Sequence, residues 1–235
     1  MKKRNILLTT ITLLSLAYSS LNAQELSQKE KSISLLEKAF STNQDRSGLA
    51  YINEKKYIQH NLYAQDGIAG LKGYLDYLKG KELENKVLIA FEDDNHVITL
   101  SLSSQEKQLS KVIDIFRFEN GQIVEHWDNL QETVTETANG HTMIDGATEI
   151  KDLDKTKENK ELVEKFVLGF LVNGDMAAVD KYLDSTSYIQ HNPGIADNVE
   201  GLQQAVKYFM DNKISFKYDK LHMIFGEGNF VLTAS

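Results

Sequence analysis

The sequence predicts an α+β fold, with helices packed on a curved antiparallel sheet, present in two tandem copies. Three observations predict it. Apolar residues at helical spacing come first, runs rich in β-branched and aromatic residues follow, and the word Tyr-Ile-Gln-His-Asn occurs at both 57–61 and 188–192.

The first helix is expected over Lys31–Thr42, where Ile33, Leu36, Ala39 and Phe40 fall on one face. Glu161–Val172 repeats the pattern with Leu162, Phe166, Val167 and Phe170, and Asn173-Gly174 supply a stop. A short second helix covers Leu49–Ile52, with Met176–Leu183 as its counterpart, and the Gln-His-Asn segment comes next. A third helix over Ile68–Leu78 aligns Leu71, Leu75 and Leu78. Val87–Phe91, His96–Ser103, Val112–Phe118 and Gln122–Asn129 have the composition of strands.

The repeat keeps its register well beyond the five-residue word. Tyr51, Asp66, Gly70 and Leu71 match Tyr182, Asp197, Gly201 and Leu202 at the same offset. Phe91, Asn95, Val97 and Ser101 match Phe225, Asn229, Val231 and Ser235 after a three-residue insertion. Agreement across helical and strand segments alike predicts a gene duplication. The expected organisation is a signal peptide at 1–23, a complete domain at 24–131, a linker at 132–157 rich in Thr, Asp, Glu and Gly, and a second, C-terminally incomplete domain at 158–235. Without its last strands, the second copy should present an unpaired edge and a thinly covered core.

Lys2, Lys3 and Arg4 precede an apolar run from Ile6 to Ala17, and Leu21-Asn22-Ala23 suits cleavage after Ala23, so the expected location is periplasmic or secreted. That run is too short for a permanent span, and no stable membrane span is expected after processing. The 235 residues are 41% hydrophobic and 26% charged with a single proline, a globular balance. The net charge of −8 becomes more acidic once the basic leader is removed, which argues against nucleic acid as a partner. The absence of cysteine excludes disulfides, thiol nucleophiles and thiolate metal sites.

The stretch from Asp114 to Asp128 carries the candidate chemistry. With Glu119-Asn120-Gly121 as a three-residue loop, Phe118 pairs with Gln122 and Asp114 lies opposite His126. Asp128, Phe116 and Val124 then share their face, while Ile113, Ile115, Arg117, Ile123, Glu125 and Trp127 occupy the other. A two-residue Asn-Gly loop would place Asp114 beside Trp127 instead. A carboxylate facing an imidazole on an apolar surface suits proton transfer, and an ordinary cross-strand ion pair accounts for the same residues. Asp114, His126 and Asp128 are therefore the catalytic candidates, with Asp128 orienting His126 or taking the proton itself. His60, Phe116 and Val124 are the candidates for contacting substrate. His60 has a structural alternative, in which Gln59, His60 and Asn61 brace the chain reversal.

Trp127 with Ile113 and Ile115 suggests a packed face or a homodimer interface. No short His spacing of a metal site exists, so no metal is expected. Gly140 to Gly146 reads as a turn, and His191 as a relic in a copy without catalysis.

Tyr-Ile-Gln-His-Asn (57–61), Asp-Ile-Phe-Arg-Phe-Glu-Asn-Gly-Gln-Ile-Val-Glu-His-Trp-Asp (114–128), Gly-His-Thr-Met-Ile-Asp-Gly (140–146) and the Gln-His-Asn-Pro ending at Pro193 resemble the SnoaL-like polyketide cyclases of the NTF2-like superfamily and their predicted aldol-condensing relatives. The resemblance implies a cone-shaped α+β barrel, an interior carboxylate and histidine, and no cofactor. Residues 113–118 also resemble the strand of ketosteroid isomerases that carries a protonated Asp. The expected function is acid/base chemistry alpha to a carbonyl, aldol-type cyclisation or isomerisation, on a small apolar or carbonyl-containing molecule. A non-catalytic module that binds a small ligand is the alternative.

Overall fold

A computed structural model describes residues 25–215 and 217–235. The expected leader at 1–23 lies outside the described residues. Helix α1 (Gln28–Ala39) begins three residues before the sequence-based boundary because Ser27 and Glu30 form a reciprocal cap. The Glu30 amide donates to Ser27 Oγ at 3.2 Å, and the Ser27 amide donates to the Glu30 carboxylate at 2.7 Å. The expected short second helix is a tight 3-10 helix over Arg46–Tyr51, three residues earlier at its start. Strand β1 (Ile58–Gln59) and helix α2 (Gly67–Tyr77) follow.

Four long strands come next: β2 (Leu83–Asp93), β3 (His96–Gln105), β4 (Gln108–Glu119) and β5 (Gln122–Glu132). Their order is β1-β5-β4-β3-β2, antiparallel except for β1, which runs parallel to β5. Leu35, Leu36 and Ala39 of α1 and Leu71 and Leu75 of α2 pack with Val97, Phe116, Phe118 and Ile123 on the inner face of this curved sheet. The predicted α+β class and its helices-then-strands order are the ones observed.

The 132–157 segment lacks strands but is docked rather than free: Met143 is buried, the Ala138 amide donates to the Pro193 carbonyl, and Asn139 bonds Asp197. Beyond it lie α3 (Thr156–Phe166), continued by a wider turn over Val167–Val172, then α4 (Ala177–Tyr182), α5 (Asn198–Asp211), β6 (Met223–Glu227) and β7 (Phe230–Ala234). Val179, Val199 and Leu202 form a small core with Phe166 and Phe170. A side chain at Gly70 would put its Cβ 1.8 Å from the Gln65 carbonyl oxygen, and one at Gly201 would put its Cβ 2.2 Å from that of Ala196, so both helices need glycine at the matching position.

The β6-β7 hairpin lies on the outer face of the large sheet. Met223, Phe225, Phe230 and Leu232 cover Phe91, Ile98 and Ile115, with Trp127 and Ile113 alongside. Lys29 pairs with Glu227 at 3.1 Å, Glu227 also accepts from the Glu92 amide, and Asp93 accepts from the Gly226 amide and from Lys160. The apolar outer face, expected to be packed or to serve a homodimer, is packed from within the chain. Among the described residues no helix is long and apolar enough to cross a membrane.

Candidate active site

Strand register decides which side chains face the interior. Asn120 and Gly121 both have positive φ, 50° and 75°, and form a two-residue loop that pairs Glu119 with Gln122 and Phe118 with Ile123. Two left-handed residues match the twist of the flanking strands, which favours this turn over the three-residue loop. A bulge at Val124 then shifts the pairing, so Arg117 lies opposite Glu125, Phe116 opposite His126 and Asp114 opposite Asp128. The expected Asp114–His126 pairing is corrected to a diagonal one. Ile123, expected outside, joins the inner core, whereas Val124 is buried in the bulge and does not line the cavity.

A cavity of about 640 Å³ lies between the helices and the inner sheet face, with Asp114, His126, Asp128 and Phe116 in its wall. Asp114 and His126 are 3% and 8% exposed. His126 Nε2 is 3.0 Å from Asp114 Oδ1, and Thr99 Oγ1 donates to Asp114 Oδ2 at 3.3 Å. The His126 ring stacks on Phe116 at 4.7 Å.

The proton positions follow from Gln59. Its Oε1 accepts from the Asn61 amide at 3.0 Å and its Nε2 donates to the Tyr57 hydroxyl at 3.0 Å, which fixes the amide orientation. His126 Nδ1, 3.1 Å from that same Oε1, must therefore carry hydrogen. One further proton occupies the Nε2–Oδ1 contact, making the pair either imidazolium and carboxylate or imidazole and carboxylic acid. Asn61 is oriented in the same way. Its Oδ1 accepts from the Tyr63 amide at 2.7 Å, and its Nδ2 donates to both oxygens of Asp128 at 2.9 and 2.7 Å.

Gln59, rather than Asp128, orients His126. Tyr57, Gln59 and Asn61 are cavity residues that were not among the expected ones, Gln59 and Asn61 having only the bracing role and Tyr57 none; their recurrence as Tyr188, Gln190 and Asn192 marked the segment without separating the two roles. Burial pushes the Tyr57 phenol well above its ordinary value, and the charges of Asp128, Asp114 and Asp66 add to this. Its hydroxyl stays protonated, accepts from Gln59, and can donate into the cavity.

His60 contributes to the cavity rim, but its ring faces outward. It stacks on Trp127 at 4.6 Å with an interplanar angle of 3°, and its Nε2 is 2.8 Å from Glu125 Oε1. Burial acts to raise Glu125, but hydrogen bonds from His60 and Arg117 and the guanidinium charge outweigh it and hold the carboxyl below its usual range. The expected substrate contact through the His60 imidazole is replaced by this outer-face network.

No protein-family model matches the chain, and no curated protein matches it. Solved structures similar to it include an NTF2-like protein of unknown function from Cytophaga hutchinsonii, 13% identical over 46% of this chain and 94% of that one, with a TM-score of 0.39. IdmH, a candidate polyketide cyclase from Streptomyces antibioticus, is 15% identical over 45% of this chain and 92% of its own, with a TM-score of 0.37. An epoxide hydrolase of M. tuberculosis is 17% identical over 44% of this chain and 82% of its own, with a TM-score of 0.39.

Asp114, His126 and Asp128 each offer a ligand atom within 4.8 Å of the others, a spacing that could also hold a cation. The remaining cavity wall is largely apolar, through Leu36, Phe40, Leu71, Tyr74 and Leu78, and among the described residues no lysine or arginine lines it. Two carboxylates and an imidazole sharing a proton in such a wall can take a proton from carbon and return one.

Proposed function

We propose that the chain is a cofactor-free acid/base enzyme that removes a proton alpha to a carbonyl of a small apolar substrate, leading to aldol-type cyclisation or isomerisation. Asp128 is the base, since Asn61 holds its carboxylate in place and leaves lone pairs facing the cavity. The C–H electron pair moves toward the carbonyl oxygen, and the Tyr57 hydroxyl donates to the enolate oxygen that forms. The proton held between Asp114 and His126 is the one returned, to carbon in isomerisation or to the new alkoxide in aldol closure; the proton on Asp128 then leaves to solvent, from which the pair regains its own. One observation carries this reading: Gln59 fixes the His126 tautomer, so a single proton sits between Asp114 and His126 beside a second carboxylate. An exported location belongs to the same proposal and rests on residues 1–23, as the tandem origin rests on the matched residues of the two halves.

The test is hydrogen exchange at carbon. The processed chain is incubated in D2O with a panel of β-keto esters and β,γ-unsaturated ketones, and deuterium at the alpha carbon is followed by mass spectrometry. Exchange above the buffer rate is expected, with a loss on the order of 10²- to 10⁴-fold in Asp128→Asn. Binding without exchange would favour the non-catalytic ligand module instead, and exchange unchanged by Asp128→Asn would remove Asp128 as the base.

A further inference from the structure

The polar side chains of the cavity fall into two groups that behave differently. Around Asp114, every polar group is engaged: Tyr57, Gln59, Asn61, Thr99, His126 and Asp128 bond one another. Toward the far end, Asn85 pairs with Ser103 across β2-β3, and Ser103 pairs with Ser110 across β3-β4. These three make one row across three strands, and all line the cavity. None of their side chains has a hydrogen-bond partner among the described residues, and Asn85 Oδ1 is buried in that state.

Strand β3 links the two groups. Its successive inward positions are Thr99, Ser101, Ser103 and Gln105, a polar track on a sheet face whose neighbouring positions include Val97, Val112 and Phe116. Ser101, between the bonded Thr99 and the row, is fully buried with its Oγ unpartnered. Leaving buried groups such as Asn85 Oδ1 and Ser101 Oγ unsatisfied is unfavourable, so a wall that carries Asn85 beside the half-buried hydroxyls of Ser103 and Ser110 is matched to something that satisfies it.

Building on the acid/base reading of this cavity, we infer that the Asn85–Ser103–Ser110 row is a specificity subsite for an uncharged hydrogen-bond donor, a hydroxyl or amide N–H, at the far end of an amphipathic carbonyl substrate. Ser110 is four residues from Asp114 along β4, which sets the distance between the reacting carbonyl and the donor at about 13 Å. The apolar side chains of α1 and α2 cover the stretch between. An anionic tail is disfavoured, because among the described residues no lysine or arginine lines the cavity and Glu132 stands next to Ser110 across β4-β5.

Three β-keto esters whose tails end about 13 Å from the ketone, in a hydroxyl, a methyl or a carboxylate, test this by calorimetric Kd and by deuterium exchange. The hydroxyl ester should bind about tenfold tighter than the methyl ester, and the carboxylate weakest of the three. Asn85→Leu should abolish that preference while retaining the methyl ester, and Ser103→Ala combined with Ser110→Ala should do so if the leucine variant does not fold. Equal Kd values for hydroxyl and methyl tails, a preference that survives both variants, or no binding of any ester at millimolar concentration would overturn the inference. A hydroxyl preference without exchange would remove the acid/base reading and leave the subsite standing. Exchange without the preference would do the reverse.

Discussion

Tyr57–Asn61 and Tyr188–Asn192 fold into the same local device and meet different surroundings. In both, the glutamine Nε2 donates to the tyrosine hydroxyl, at 3.0 and 2.9 Å, and the glutamine Oε1 accepts from the asparagine amide, at 3.0 and 2.8 Å. In both, the glutamine amide donates to an aspartate just before the next helix, Asp66 at 2.8 Å or Asp197 at 2.9 Å. The first segment lies against β5 and β4, where Gln59 reaches His126 and Asn61 reaches Asp128. The second lies against the 137–146 segment, where Asn139 donates to the Gln190 carbonyl and to Asp197, and His191 meets Asp145 at 2.8 Å. The device is a brace in both places, and only in the first does a sheet present carboxylates and an imidazole to it.

Parallel substitutions can break this comparison. The largest effect is expected at the sheet: His126→Ala should lower alpha-proton exchange by at least about 10²-fold, whereas His191→Ala should leave it unchanged, as read by deuterium incorporation. Next comes the brace itself. Gln59→Ala frees the His126 ring and should lower exchange on the order of 10²-fold, while Gln190→Ala should not alter it. A loss of similar size from both glutamine variants would show that the braces act on stability alone. A smaller effect is expected from Asp66→Ala, which loses the Gln59 and Gly67 amides, and from Asp197→Ala, which loses the Gln190 amide and the Asn139 side chain, each costing about 1 kcal/mol in denaturant unfolding.

The smallest effect is a pH response confined to the second brace. A hydrogen bond to Asp145 raises His141, with the charges of Asp145 and Asp197 adding to it against a small loss from burial. The bond from His141 lowers Asp145, and the Gln190 amide lowers Asp197. A raised histidine contributes fully below its ordinary value of 6.5 and loses that contribution as pH rises through its folded value. A lowered aspartate contributes fully above 3.8 and loses it as pH falls through its folded value. Residues 137–146 should therefore be most protected against amide exchange, relative to the intrinsic rate at each pH, between those two values, and His141→Ala should remove the loss of protection on the alkaline side.

The sequence carried the fold class and most of the elements, because the helical and strand periods of the first half are strong. It also carried which face Asp114, His126 and Asp128 share, although through the wrong register. The two-residue turn moves the pairing by one position and the bulge at Val124 moves it by another, so parity is restored while the partners change. Nothing at Val124 announces a bulge, since no glycine or proline stands there. The outward turn of His60 was equally hidden, because it depends on Trp127 and Glu125 across the β1-β5 pairing. The outer sheet face read as apolar, but its occupant comes from more than a hundred residues further along the chain.

That distance has a consequence for how the molecule is made. During synthesis the large sheet can close as soon as β5 has emerged, yet Phe91, Ile98 and Ile115 stay uncovered until β6 and β7 follow. For that interval the half-built chain carries a sticky flank, and the risk of misassociation is set by how quickly its last strands arrive.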